Sequence, residues 1–208
     1  RRKGLAIVLV AAAVVGFLAF APEDITERMS TIKEAEDDNS FMGRVFAWRI
    51  SSAIALANPV FGGGFHAVQV QSIWDSFKAS SGLLGFLHLP VPEFSAKAAH
   101  SIYFEVMGDL GFVGLGLFLL ILVRALWSRR VIKRATARLG SPYQWARDMA
   151  DMLMLAVLAY MVGGAAVSLG YFEVIYMVVM LMELLRIHVT RAVAPMRREV
   201  MSEVGGRA

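Results

Sequence analysis

The chain has 208 residues, 57% of them hydrophobic, with a net charge of +4 and no cysteine. With a mean hydropathy of +0.58 it is too apolar for an ordinary soluble domain, and its apolar residues fall into blocks about as long as a bilayer crossing. The lack of Cys excludes disulfides, thiolate metal sites and cysteine nucleophiles. Residues 22–99 carry six Lys or Arg against nine Asp or Glu, a net −3, which leaves +7 for the rest of the chain. Uniform basicity would point to nucleic acid. A split between polar segments points instead to membrane topology, with lipid and no nucleic acid as partner.

Arg1-Arg2-Lys3 leads without an initiator Met into an apolar run, so the chain is expected to be the C-terminal part of a longer membrane protein. Residues 1–21 hold the first expected transmembrane helix, the charge-free run Gly4 to Ala21. About 18 residues rise roughly 27 Å as a helix, enough to cross. Ala19-Phe20-Ala21 also matches an A-x-A cleavage site, but the run exceeds the ~7–15 residue core of a signal peptide, and Pro22 hinders cleavage.

Residues 22–99 read as a long external loop with structure of its own. After the acidic stretch Glu34 to Asp38, Asn39 or Ser40 caps a helix over Phe41 to Ala57, which Asn58-Pro59 ends. Phe61-Gly62-Gly63-Gly64-Phe65 is a tight loop, Ala67 to Ser80 a short amphipathic helix, and Leu87 to Phe94 is extended. A second transmembrane helix takes 100–127, starting near Ala98, and a basic loop takes 128–151. A transmembrane hairpin takes 152–189, turning at Gly170, and a basic, disordered tail takes 190–208. The Arg-rich segments belong in the cytoplasm and the acidic loop outside. The fold class is therefore an all-α polytopic membrane protein: four transmembrane helices with a long, partly helical external loop.

His100 re-enters the apolar helix at the level where a lipid-linked substrate presents its head group. At about 100° per residue, Tyr103, Met107, Gly111 and Gly114 fall within about 60° of His100, while Glu105 and Asp109 fall about 140° and 180° away. Two readings stand open for His100 and Tyr103: a proton-handling site, or part of the interfacial aromatic belt. The planar guanidinium of Arg44 suits a diphosphate, but Arg44 and Arg49 also suit the acidic stretch or anionic lipid. Arg49 lies about 140° round the helix from Arg44, so the two are not expected on one group. Gly62-Gly63-Gly64 lacks the Lys-Ser/Thr ending of a P-loop and reads as a turn that lets Phe61 and Phe65 pack. His66, His88 and the Asp37-Asp38 pair lack convergent partners at ligand spacing, so neither a metal nor a cofactor is expected. Glu183 has Arg186 three residues on as a partner.

The ordered set Gly43-Arg44 to Trp48, Asn58-Pro59-Val60-Phe61-Gly62-Gly63-Gly64-Phe65, Ala99-His100-Ser101-Ile102-Tyr103 and Gly108-Asp109-Leu110-Gly111-Phe112-Val113-Gly114 resembles the O-antigen ligase family. The pattern is most similar to its exosortase-associated branch of O-glycosylation ligases. The resemblance covers roughly 40–125, and the flanking spans by hydropathy only. It implies a multi-pass glycosyltransferase of the bacterial inner membrane, with 22–99 in the periplasm. Its donor would be an undecaprenyl-diphosphate-linked glycan and its acceptor a hydroxyl on lipid, polysaccharide or protein. His100 matches the family's catalytic His and Arg44 its diphosphate-holding loop Arg. Tyr103 and Arg49 join Arg44 as expected substrate-binding residues. The family's usual His-Asn pair reads His100-Ser101 here, a departure that bears on how the His is oriented. O-antigen polymerases share the architecture. The rival classes are half of a transporter or flippase, with Glu105 and Asp109 in a polar path, and a non-catalytic scaffold.

Overall fold

The computed structural model describes residues 38–205. Contacts divide the chain into a unit Arg1–Gly43, of which only the opening residues of the first helix are described, and a unit Arg44–Ala208, which carries the features below. Five α-helices are described: α1 (Asp38–Ala57), α2 (Gln71–Phe77), α3 (Ile102–Leu139), α4 (Gln144–Gly163) and α5 (Glu173–Gly205). Short 3-10 turns lie at Ala67–Gln69, Gly82–Leu87, Ser141–Tyr143 and Gly164–Ala166, and there is no strand among the described residues. The expected first span at 1–21 lies outside the described residues.

α1 ends where Asn58-Pro59 predicts, with Asn58 N–H closing on the Ile54 carbonyl at 2.9 Å. Every residue from Val45 to Ala55 except Trp48 is buried. An amphipathic surface helix buries one stripe, whereas a helix buried all round is a core element. Phe46 meets Phe94 edge-on at 5.4 Å and Trp48 stacks on Phe104 of α3 at 5.1 Å. The expected helix over 67–80 is two pieces, the turn Ala67–Gln69 and α2, which buries Trp74.

Among the described residues, two helices are long and apolar enough to cross a membrane, Ile102–Leu139 and Ser141–Ala166. α3, α4 and α5 pack together around Ile102, Val106, Phe118, Leu122, Val157 and Ile175. Their outward side chains are also apolar: Leu117, Leu120, Leu155, Val162, Met177 and Met180 are all exposed. Apolar residues inside and out are what a bilayer solvent selects.

α3 departs from expectation at three places. It starts at Ile102, with Ser101 as an extended N-cap and His100 left-handed at φ 46°. His100 therefore lies outside the helix, and the shared face projected for His100 and Tyr103 does not apply. Gly111 then interrupts the helix with φ 69° and ψ −170°, so Gly114 also loses the projected relation. Finally, the helix continues past Trp127 to Leu139. The segment expected as a basic loop buries Ser128, Ile132, Ala135 and Thr136 on one face. There Ile132 and Ala135 pack with Ala146, Ala150, Met182 and Val189. Charge hid an i, i+4, i+7 pattern.

Ion pairs lock this end of the bundle. Glu183 binds Arg186, as expected, and also Arg124 of α3 at 2.8 Å. Asp151 of α4 holds Arg129 at 2.5 Å and Lys133 at 3.3 Å. The tail expected to be disordered continues as helix through Pro195 to Gly205.

Candidate active site

The site is assembled around the break in α3. An interrupted helix leaves carbonyls and N–H groups that need partners. The loop after α1 supplies them: Gly63 N–H donates to the Gly108 carbonyl at 2.9 Å and Gly64 N–H to the Asp109 carbonyl at 3.0 Å, while Phe112 N–H donates to the Pro59 carbonyl at 2.8 Å. Such contact needs backbones without side chains between them. A Cβ on Gly62 would sit 2.5 Å from the Asp109 carbonyl, and one on Gly111 would sit 2.6 Å from the Pro59 oxygen. The glycine run is a turn, as expected, but it docks on α3 instead of letting Phe61 and Phe65 pack, since both rings stay largely exposed. Gly63 and Gly64 have their N–H groups committed to α3.

Asp109 completes the docking. The residue is 1% exposed, and its carboxylate accepts from His66 N–H at 2.8 Å, Ala67 N–H at 3.0 Å and the Tyr171 hydroxyl at 3.0 Å. A buried carboxylate needs such partners to stay buried. Glu105, also buried, accepts Gly170 N–H at 2.8 Å from the turn between α4 and α5. The two acids expected to line a path if the protein were a transporter instead tie two loops to α3.

His100 is held at its backbone and open at its ring. On one side, the Ala99 carbonyl accepts the Trp48 indole N–H at 2.6 Å. On the other, the Ser101 carbonyl starts α3 by accepting Glu105 N–H at 2.8 Å. His100 N–H donates to Ser168 Oγ at 2.8 Å. Its side chain is exposed. Partial burial, then the charges of Arg44 and of Lys97, push the imidazole below its usual pKa. Arg44 lies one turn before Trp48, whose indole anchors Ala99 beside His100. Among the described residues, the Nε of Arg44 has no hydrogen-bond partner. Lys97 rests its Nζ 4.8 Å over the Phe94 ring.

The other expected residues are placed differently. Arg49 is 4% exposed. Its guanidinium donates to the carbonyls of Lys78 at 2.7 Å, Leu89 at 2.9 Å and Pro90 at 3.1 Å, and stacks 5.0 Å over Phe46. Tyr103 donates its hydroxyl to the Met161 carbonyl of α4 at 2.8 Å. The structure thus leaves Arg44 within electrostatic reach of His100, ties Arg49 to the loop, and ties Tyr103 into the bundle. Sequence reasoning missed Lys97 and Ser168. Lys97 stands three residues before His100 and was readable. Ser168 lies 68 residues away in sequence and carries no local signal.

Together these features define a helical membrane protein that holds a cationic, His-bearing loop against the N-terminal end of a broken apolar helix. The chain belongs to the O-Antigen ligase family, whose model matches residues 1–119, more than half of its 208 residues. The family comprises membrane-embedded ligase- or polymerase-type glycosyltransferases and implies a lipid-linked polysaccharide substrate. No curated protein and no solved structure matches the chain. The matched region contains Arg44, Lys97, His100 and the break in α3. It stops short of the α4–α5 turn that carries Ser168 and Gly170.

Proposed function

We propose that this chain carries the catalytic site of an O-antigen ligase-like glycosyltransferase of the exosortase-associated type. It would move a glycan from an undecaprenyl-diphosphate carrier to an acceptor hydroxyl at the periplasmic face of the bacterial inner membrane. The single observation that supports this reading is an exposed His100, fixed at its backbone just before α3 and within electrostatic reach of Arg44 and Lys97. The acceptor oxygen attacks the anomeric carbon as its proton passes to neutral His100. The bond from that carbon to the phosphate oxygen breaks, and the lipid diphosphate leaves with its new charge against Arg44 and Lys97. One displacement inverts the anomeric centre. Fixed cations stabilise the leaving charge without reorganising, so the reaction is expected to be metal-independent. The test is transfer by purified full-length enzyme with and without chelator: undiminished transfer supports the reading, and loss restored by a divalent cation refutes metal independence. The transporter alternative is weakened because Glu105 and Asp109 are bonded to loop backbone.

Of the two arginines, we assign the diphosphate to Arg44 alone. Arg44→Ala is expected to abolish most transfer without altering thermal stability, and Arg44→Lys to lose much of it, since an ammonium lacks the planar fork. Arg49→Ala should instead destabilise the loop by about 2–4 kcal/mol, because three carbonyls lose a charged donor. Full activity of Arg44→Ala at normal abundance eliminates the clamp.

We assign Ser168 to positioning. A left-handed non-glycine residue costs roughly 1–2 kcal/mol, and the bond from His100 N–H to Ser168 Oγ helps hold it. Ser168→Ala should lower kcat about tenfold, the equivalent of one hydrogen bond of ~1.4 kcal/mol, at unchanged KM for the donor. Ser168→Thr, which keeps the hydroxyl, should recover most of it. An unchanged kcat in Ser168→Ala refutes the assignment.

For topology we propose four spans with both ends cytoplasmic. A Cys at position 38 should react with an impermeant maleimide from the periplasmic side. Reaction only after access is opened from the cytoplasm reverses the orientation.

A further inference from the structure

The loop Asn58–Phe65 carries no charged residue, yet Val60 is 50% exposed, Phe61 83% and Phe65 68%. Isolated exposed apolar side chains are ordinary, but a contiguous apolar patch marks an interaction surface. Its neighbours identify the occupant. The Pro59 carbonyl is bonded to Phe112 N–H, so the loop abuts the first residues after the break in α3. Phe112 and Val113 there are exposed and apolar, at the head of the outward face that continues through Leu117, Leu120 and Ile121. That face lies on a helix long and apolar enough to cross a membrane. Phe112 also lies beyond Glu105 and Asp109, which hold the α4–α5 turn, along α3.

Irregular backbone survives at membrane depth only if its polar groups find protein partners. Here they do. Gly62 N–H is bonded to the Asn58 carbonyl, Gly63 and Gly64 N–H to the carbonyls of Gly108 and Asp109, and His66 and Ala67 N–H to the buried Asp109 carboxylate. Pro59 has no N–H to satisfy.

From this we infer that Asn58–Phe65 is a membrane-contacting loop whose Val60 and Phe61 side chains insert at the headgroup–acyl boundary of the leaflet on the His100 side, extending the lipid-facing surface of α3. The docking of this loop onto the break gives the membrane a second grip on the chain beside the catalytic loop. The inference rests on membrane embedding and not on the proposed reaction.

The experiment uses full-length protein in nanodiscs, with Phe61→Cys as the only reactive thiol, labelled with an environment-sensitive fluorophore. Phe61 is almost fully exposed, so the substitution removes no packing; Val60→Cys serves as an independent second position. Asp75→Cys, on the polar surface of α2, is the aqueous control. The expected result is strong quenching of the label at 61 and at 60 by doxyl-labelled phospholipid, with protection from iodide, and the opposite at 75. Quenching at 61 by iodide instead of lipid overturns the inference by placing the tip in water. Protection from both overturns it by placing another part of the protein over the tip. Transfer activity is not read, so failure here leaves the proposed reaction standing.

Discussion

His100→Ala is expected to lower glycan transfer by ~10²–10⁴-fold, the range for loss of a general base, with membrane insertion and abundance unchanged. The separation is expected because the ring is exposed, while the backbone bonds that frame it, His100 N–H to Ser168 and Trp48 to the Ala99 carbonyl, do not need the imidazole. The pH profile supplies an independent check. Burial, Arg44 and Lys97 hold the pKa of His100 below the usual imidazole value. The neutral, proton-accepting form therefore persists to lower pH than for an ordinary histidine. In the wild type, kcat/KM should fall only as pH drops through that lowered value. Residual activity of Arg44→Ala should show the same limb moved to higher pH, because one of the charges opposing protonation is gone. Glu105→Gln keeps an acceptor for Gly170 N–H and should cost far less than His100→Ala. Transfer by His100→Ala at near wild-type rate refutes the mechanism. Loss of function in Glu105→Gln alone favours the transporter instead.

The parts of this arrangement that sequence made legible are those carried by local patterning. α1 stops at Asn58-Pro59 because a proline restricts the residue before it. Gly62-Gly63-Gly64 is a turn because nothing else tolerates that density of unrestricted backbone. His100 and Arg44 stood out as titratable or charged groups beside apolar runs, and in the structure the charge of Arg44 acts on His100. What was not legible depended on long-range partners. Nothing in the neighbourhood of Asp109 announces that it will accept two N–H groups from residues 66 and 67 and a hydroxyl from Tyr171. Projected on an ideal helix it reads as an acid in need of a cavity. Arg49 and Arg44 likewise look alike in sequence. They differ because α1 is buried nearly all round, and only the three-dimensional path of Lys78, Leu89 and Pro90 delivers carbonyls to Arg49. Helical periodicity also misled where it assumed continuity. His100 lies before the helix and Gly114 beyond its break, so angles taken between them had no meaning.

Gly111→Ala is expected to be the most damaging small substitution in α3. At φ 69° and ψ −170° the residue occupies backbone space that is essentially reserved for glycine. A Cβ there would also stand 2.6 Å from the Pro59 carbonyl oxygen and 3.0 Å from that of Asn58. These are backbone atoms that cannot swing aside like the end of a side chain. Relief by straightening α3 would draw Phe112 N–H from Pro59 and the carbonyls of Gly108 and Asp109 from Gly63 and Gly64, undocking the loop after α1. Backbone strain and overpacking of about 1–3 kcal/mol each place the cost on the order of 3 kcal/mol or more. That is a large part of the stability of an ordinary domain, so Gly111→Ala should show a marked fall in unfolding temperature and in abundance. Gly116→Ala is the matched control. It lies five residues on in the same helix, with nothing within 4 Å of the added Cβ, and alanine favours helix over glycine by roughly 1 kcal/mol. It should therefore be neutral or mildly stabilising. If the two variants unfold at the same temperature, the break at Gly111 is not a feature of the native fold. The docking of the glycine loop on α3 would then have to be abandoned as well.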